Sequence, residues 1–206
     1  MKKTAGSLIF QVLTILLFVY PVMALVGPTD QVKPTLEEVL VVLSDDALRG
    51  AGHKVERRTK VMEIIKKSFD FREMSRKVLG KMWEKITQSE QDHFVELMTK
   101  LLENIYIGKL ESYSGQKIEY VGEKIRKNKA LVSTTIDNKN QKIPIHYILV
   151  NMSSRWMVYD INIDGVSLVK NYRQQFKSVL KRDRFPGLVR ELEQMNKDLA
   201  GGSGNS

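Results

Sequence analysis

The chain has no cysteine among its 206 residues. Disulfide bonds, thiolate-ligated metal sites and a cysteine nucleophile are therefore excluded. A lipid anchor attached through an N-terminal thioether is excluded for the same reason. The protein must rely on noncovalent packing and on side chains other than thiols.

Histidine is scarce, and none of the three histidines has a second histidine at the spacing of a helical zinc site. The chain also lacks a Gly-x-Ser-x-Gly nucleophile elbow and a glycine-rich phosphate loop. His93 is expected on the polar face of a helix, and His146 as a hydrogen-bonded strand residue. Asp160 and Asp164 could form an acid/base pair, but no nucleophile accompanies them, and Asp164 before Gly165 indicates a turn. The sequence therefore disfavours an enzyme, and no catalytic residue, cofactor or metal is predicted.

Positive charge exceeds negative charge, with 33 Lys and Arg against 24 Asp and Glu. A basic surface suits nucleic acid, anionic lipid, an acidic protein partner or simple solubility. The basic residues are scattered over expected helix ends and turns, without the interleaved aromatic residues that stack on bases. We therefore expect solvated faces and no nucleic-acid partner.

Residues 1–24 have the three parts of a secretory signal. Lys2 and Lys3 form the basic start, an apolar run covers residues 8–20, and Val22 and Ala24 precede a cleavage site after Ala24. An uncleaved membrane anchor is the alternative, but the run is shorter than the ~20 residues that span a bilayer. The sequence predicts a soluble exported protein.

Four segments are predicted along the chain. Residues 1–24 are the signal peptide, residues 25–34 form a linker, residues 35–199 form one domain, and residues 200–206 form a glycine-rich disordered tail. A domain of this length can bury a sizeable core.

Capping residues and helical spacing predict the helices. Capping boxes at Thr35 and Thr87 open two of them, and Asp70 caps another that ends at Gly80. The remaining boundaries follow from apolar residues three and four positions apart. Helices with boundaries set in this way are predicted at residues 55–68, 88–113, 166–182 and 187–199.

After Gly115 the apolar period changes from helical to alternating, which marks a sheet. Short polar connections between the strands favour an antiparallel meander. Pro144 lacks a backbone donor, so its strand is expected at an edge or a bulge. The order of elements predicts an α+β fold, with an antiparallel or mixed sheet of about four to five strands and helices packed on it. The predicted strands cover residues 117–123, 130–137, 142–151 and 155–163.

Residues 156–176, WMVYDINIDGVSLVKNYRQQF, form the most distinctive segment. They predict a strand with apolar residues on both faces, a turn at Asp164 and Gly165, and an amphipathic helix. Upstream, residues 69–83 read FDFREMSRKVLGKMW. The Thr87 helix start and the strand around Pro144 follow in the same order.

These segments, over roughly residues 34–195, resemble the MlaC or toluene-tolerance family of periplasmic phospholipid-binding proteins. One departure is Asp164, where many relatives are expected to have Glu. The resemblance implies an apolar pocket enclosed by the sheet and the helices, with acyl tails buried and the head group toward solvent. It further implies a periplasmic carrier that shuttles phospholipid between the inner and outer membranes to maintain outer-membrane asymmetry, with lipid as its only cargo and no cofactor.

The resemblance also implies partners. They are phospholipid, an inner-membrane ABC lipid transporter complex and an outer-membrane lipoprotein-porin complex, and the protein itself is expected to be a monomer. Candidate docking charges lie around Lys124, Arg126 and Lys127, or at Arg182 and Arg184.

The pocket is predicted from inward-facing stripes of the long helix, the sheet and the last helix. The predicted lining residues are Leu97, Leu101, Tyr106, Val132, Tyr147, Trp156, Val158, Tyr172 and Phe176. The opposite strand face, with Met157, Tyr159 and Ile161, is the alternative, because strand parity does not identify the face toward a cavity. Periodicity alone would also allow these stripes to fill a solid core.

Three other functions stay open. The first is a carrier of hopanoid or another exported lipid, and the second is a lipid-modifying hydrolase that would depend on Asp160 or His146. The third is a periplasmic adaptor that binds no lipid and has a filled core. Extracted lipid and its chemical class distinguish these functions.

Overall fold

The structure, a computed structural model, describes residues 26–111, 113, 115–138 and 141–202. The predicted signal peptide, Ser114 and residues 203–206 of the predicted tail lie outside the described residues. Within these ranges, no helix combines the length and the apolar character needed to cross a membrane.

Five α-helices and five β-strands make up the described part of the chain. The helices are α1 Pro28–Ser44, α2 Lys54–Ser68, α3 Phe71–Leu79, α4 Gln88–Glu111 and α5 Leu168–Gly202. The strands are β1 Ile118–Arg126, β2 Lys129–Asn138, β3 Gln141–Met152, β4 Arg155–Ile163 and β5 Val166–Ser167. Short 3₁₀ segments lie at Asp46–Leu48, Ala51–His53 and Gly80–Lys85.

The strands form one sheet in the order β1-β2-β3-β4-β5, and every neighbouring pair is antiparallel. The short connections between consecutive strands produce this meander, as predicted. The sheet and the helices that cover it confirm the α+β fold class.

The β4–β5 hairpin corrects the predicted start of the last helix. Asp164 and Gly165 have φ values of 50° and 84°, as in the type I′ turns that match the twist of a hairpin. Val166 then pairs with Ile163, so it continues the sheet. The helix begins two positions later than predicted, at Leu168.

The start of α1 is a second correction. Residues 28–34, predicted as linker, form its first two turns, and Thr35 lies inside the helix. Pro28 suits the first helical position because it needs no N–H partner there. The Oε2 atom of Glu123 in β1 accepts from the Thr29 backbone N–H at 2.7 Å and from its hydroxyl at 2.6 Å. This acceptor comes from a distant strand, which local sequence cannot indicate.

The other two predicted caps are confirmed. Asp70 Oδ1 accepts from the Glu73 backbone N–H at 2.8 Å and so caps α3. The Thr87 backbone N–H donates to Glu90 at 2.8 Å, and the Glu90 N–H donates to the Thr87 hydroxyl at 3.3 Å. In each cap the two residues lie three positions apart in sequence, so the local pattern is enough to predict it.

Pro144 lies in β3, the central strand of the sheet, although an edge or a bulge was predicted. Its carbonyl accepts from the Asp164 N–H at 2.9 Å. The N and O of a strand residue point to the same side, so the missing donor of Pro144 faces the end of β4 and not β2. The proline is therefore tolerated where its neighbour strand stops.

A break at Arg184 divides α5, as the prediction of two C-terminal helices requires. Arg184 has φ 57° and ψ −165°, and Pro186 follows it. Proline disfavours helical backbone in the preceding residues and removes a donor. The second part of α5 can then fold back along α4, where Asn196 donates to the Leu97 carbonyl at 3.0 Å.

The buried residues form two hydrophobic clusters. The larger one joins the sheet to α3, α4 and α5, and Phe94, Leu101 and Val132 are fully buried within it. The smaller one joins α1, α2 and the end of α4. Its buried members are Val39, Leu43, Val61, Ile64 and Ile107.

Candidate functional site

An apolar cavity of about 750 Å³ lies where the two hydrophobic clusters meet. Its wall contains Phe69, Tyr147 and Val158 of the larger cluster, and Val39 and Ile107 of the smaller one. Every helix and strands β1 to β4 contribute to the wall. The space is lined by side chains but is not filled by them.

The α1 helix supplies one side of the cavity. Val32, Leu36, Val39 and Leu43 recur at steps of three and four residues and all line it, so they lie on one face of the helix. This stripe is visible in the sequence, but its first member falls in the segment that was predicted as linker. Sequence reasoning therefore missed α1 as a wall of the cavity.

A bulge in β4 places residues of both parities on the cavity side. Leu149 pairs with Val158, whereas its neighbour Ile148 pairs with Asp160, so Tyr159 is an extra residue. A bulge shifts the alternation of side chains. Val158 and Ile161 consequently both line the cavity, although strict parity would place them on opposite faces.

Most polar groups on the wall have partners. The hydroxyls of Thr35 and Ser68 are 2.6 Å apart and hydrogen-bond to each other. Glu103 pairs with Lys100 at 3.2 Å. Burial raises the pKa of Tyr147, so its hydroxyl stays protonated, and it hydrogen-bonds to Thr134. The interior therefore offers few unsatisfied polar groups to water.

The structure separates the nine predicted lining residues into two groups. Tyr106, Tyr147 and Val158 line the cavity, and so does Ile161 of the alternative strand face. The other six lie in or against the larger packed cluster: Leu97, Leu101, Val132, Trp156, Tyr172 and Phe176. Contact of any of these residues with lipid stays a prediction.

Packing between α4 and α5 explains why Tyr172 and Phe176 of this second group lie away from the cavity. The rings of Phe94 and Phe176 meet edge to face with centroids 6.4 Å apart. Tyr172 lies behind Tyr106, whose hydroxyl it hydrogen-bonds, and burial raises the pKa of both. The side chains of Phe94, Tyr172 and Phe176 thus pack between the two helices and do not reach the cavity.

The ends of four strands form another part of the wall that sequence reasoning missed. Ile118, Ile136, Ile143 and Ile163 lie near the same end of the meander and all line the cavity. Alternation marked them as strand residues. The alternation of apolar residues does not indicate that these four side chains border a cavity.

The side chains considered as catalysts have structural partners. Asp160 is buried and accepts from the Ser167 hydroxyl at 2.6 Å and from the Val169 N–H at 3.0 Å, which fixes the start of α5. His146 contacts the Ser133 hydroxyl at 2.9 Å, and His93 contacts Glu193 at 3.3 Å. Among the described residues, no group of His, Asp and Glu could hold a metal ion.

A smaller groove of about 340 Å³ adjoins the cavity between α1 and β1. Leu36, Leu40, Tyr113, Gln116 and Ile118 line both spaces. The lining of the groove is more polar than that of the cavity. It also contains Glu37, Lys117, Glu119 and Tyr120.

Known proteins are similar to this chain in amino-acid sequence. The chain is 25% identical over 124 residues to the intermembrane phospholipid transport system binding protein MlaC of Haemophilus influenzae, a match that covers 57% of this chain and 58% of that protein. It is 24% identical over 182 residues to the toluene tolerance protein ttg2D of Pseudomonas putida, covering 86% of this chain and 85% of that protein.

A solved structure matches the fold. The phospholipid-binding protein from Ralstonia solanacearum, in complex with a phospholipid, superposes with a TM-score of 0.75 and 26% identity, over 84% of this chain and 99% of that chain. The family model for the MlaC protein matches residues 33–194. This range contains every residue that lines the cavity except Val32, and the chain belongs to the MlaC family.

Proposed function

We propose that the protein is a periplasmic phospholipid carrier that moves lipid between the inner and outer membranes and so maintains the lipid asymmetry of the outer membrane. The observation that carries the proposal is the apolar cavity of about 750 Å³ in a chain of the MlaC family. The Ralstonia relative, solved with a phospholipid, has the same fold.

The size of the cavity suits acyl chains. A methylene is about as large as a water molecule, whose share of liquid volume is about 30 Å³. A cavity of about 750 Å³ therefore holds roughly 25 methylenes. Two phospholipid tails contain roughly thirty, so the cavity can shelter most of both while their ends near the head group stay outside.

The energy of burial explains why such a carrier holds its lipid in water and still exchanges it. Moving roughly 25 methylenes from water to an apolar site is favourable by about 0.8 kcal/mol each, or about 20 kcal/mol in all. Loss of lipid into water is therefore negligible. A bilayer offers the tails nearly the same environment, so exchange with a membrane or a membrane-bound partner is close to neutral. No catalysis is required.

The location and the partners in this proposal rest on the family and on the sequence. The N-terminal segment with a basic start and an apolar run supports export. The names of the relatives refer to an intermembrane transport system and to toluene tolerance. As partners we propose an inner-membrane ABC lipid transporter complex and an outer-membrane lipoprotein-porin complex, each binding a monomer of this protein.

Extraction of the purified mature protein tests the proposal. The protein, isolated after export, should release two-tailed phospholipid at near one molecule per chain by mass spectrometry. It should also transfer labelled phospholipid between donor and acceptor vesicles. A rigid terpenoid in the extract, lysolipid formed during incubation, or a protein without lipid would each overturn the proposal.

A further inference from the structure

The groove between α1 and β1 differs from the cavity that it adjoins because charged residues line it. Glu37 lies on α1, Lys117 directly precedes β1, and Glu119 is the second residue of β1. A lipid with its tails in the cavity would place its head group where the two spaces share residues. We call this space the head-group groove, defined by Glu37, Gln116, Lys117, Glu119 and Tyr120.

The charges of the head-group groove are only partly neutralised within the protein. Glu119 binds Lys142 at 2.7 Å, but Glu37 lies 3.9 Å from Lys33 and its side chain is 60% exposed. Lys117 has no ion pair with any residue that the structure describes. The groove therefore presents toward solvent one weakly paired carboxylate and the Lys117 ammonium, whose charge acts on Glu119 without forming an ion pair with it.

Tyr120 supports the placement of Glu37 beside the groove. Burial, with a further contribution from the negative charge of Glu37, raises the pKa of Tyr120 to about 12. Its hydroxyl thus stays protonated at neutral pH and can donate a hydrogen bond into the groove.

We propose that the head-group groove binds the head group of a phospholipid and favours a zwitterionic head group, with phosphate on Lys117 and ammonium on Glu37, over an anionic one. This inference rests on the proposed function, because the tails must occupy the adjoining cavity. An anionic head group can use Lys117 but offers no cation to Glu37, which then has only Lys33 at 3.9 Å, and it adds like charge next to Glu37. A zwitterion satisfies both groups at once.

Competition between head groups tests the proposal. The purified protein is equilibrated with vesicles of equimolar phosphatidylethanolamine and phosphatidylglycerol with identical tails, then re-isolated and extracted. A second arm replaces phosphatidylethanolamine with phosphatidylcholine. Bound lipid should be enriched in the zwitterion relative to the vesicle in at least the ethanolamine arm, and enrichment in the choline arm would show that charge suffices without N–H donors.

Two variants locate the effect in the groove. Glu37→Gln should lower the enrichment by about two- to five-fold, the range that exposed ion pairs give, without changing the total lipid bound. Lys117→Gln should lower the preference for phospholipid over diacylglycerol with the same tails by a similar factor. Glu38→Gln is the matched control, because this neighbouring carboxylate pairs with Lys67 of α2 and does not line the groove.

The outcomes are distinguishable. Bound lipid with the same composition as the vesicles in both arms, or enrichment that Glu37→Gln leaves unchanged, overturns the head-group proposal while the carrier function stands. A protein that takes up no lipid from any of these vesicles overturns both.

Discussion

Filling the cavity from α1 and from β4 is the most direct perturbation of the proposed carrier. Leu36 of α1 and Ile161 of β4 both line the cavity and are only partly buried. Each can be changed to Trp, which keeps the interior apolar. The double variant Leu36→Trp/Ile161→Trp should keep the fold and lose most of its lipid.

The expected loss can be worked from the size of the side chains. A Trp side chain has about six more heavy atoms than Leu or Ile, so the double variant displaces roughly twelve methylenes of lipid, worth about 10 kcal/mol of transfer free energy. The full cavity accounts for about 20 kcal/mol on the same scale. About half of the driving force is removed, and a two-tailed lipid no longer fits as a whole.

The assay is the molar ratio of lipid phosphorus to protein after purification, with mass spectrometry of the extracted lipid. We expect a ratio well below that of the unchanged protein, and any lipid that stays bound should have shorter tails or a single tail. Thermal unfolding serves as the check on folding, since added apolar atoms in a void should not destabilise the protein.

Val41→Trp is the matched control. Val41 lies on the same helix but is 69% exposed, so the same bulky side chain there enters solvent. This variant should keep its lipid. If the double variant retained the original lipid at the original ratio, the cavity would not be where the tails lie, and the reasoning would be refuted.

Three further changes test individual contacts. Glu123→Gln weakens the acceptor at the start of α1, so urea unfolding should show a loss of about 0.5–1 kcal/mol, and an unchanged midpoint would exclude the cap. Asp160→Asn disrupts the buried anchor of α5 and should cost about 2–3 kcal/mol, with no effect on lipid chemistry. Backbone and side-chain hydrogen bonds from Thr87 hold the pKa of Glu90 below its usual value of 4.5, so its stabilisation is present above that pH and is lost as the pH falls through the lowered pKa. The free energy of unfolding, measured between pH 6 and pH 3, should therefore fall less steeply with decreasing pH for Glu90→Gln than for the unchanged protein. Parallel profiles for the two proteins would contradict this.

Local sequence was sufficient to predict a structural feature wherever the contact that stabilises the feature joins residues close in sequence. The Asp70 cap, the Thr87 capping box and the turn at Asp164 and Gly165 each involve residues within a few positions of one another. The strands were recognised for the same reason, because the alternation of side chains along a strand is itself a local pattern. These features fix the α+β fold class without knowledge of long-range contacts.

Long-range contacts explain the elements that were predicted incorrectly. The start of α1 depends on Glu123, which lies 94 positions from Thr29 in the sequence. The orientation of β4 changes at Tyr159 because of its pairing with β3, so no parity rule applied to β4 alone could identify the lining residues. Phe176 has the same spacing pattern as a cavity residue, but its place against Phe94 is decided by how α5 packs on α4.

Periodicity cannot predict the cavity itself. A stripe of apolar residues shows which side chains face inward, but not whether those side chains pack against one another or leave a space between them. Its size has an energetic consequence. At about 24 cal/mol per Å³ of void, an empty closed cavity of about 750 Å³ would cost about 18 kcal/mol, which exceeds the stability of about 5–15 kcal/mol that a whole protein has. A dry, sealed and empty form is therefore not a stable state of this chain. The space must be occupied or open to solvent, and a lipid that binds there only in the folded state would stabilise the protein.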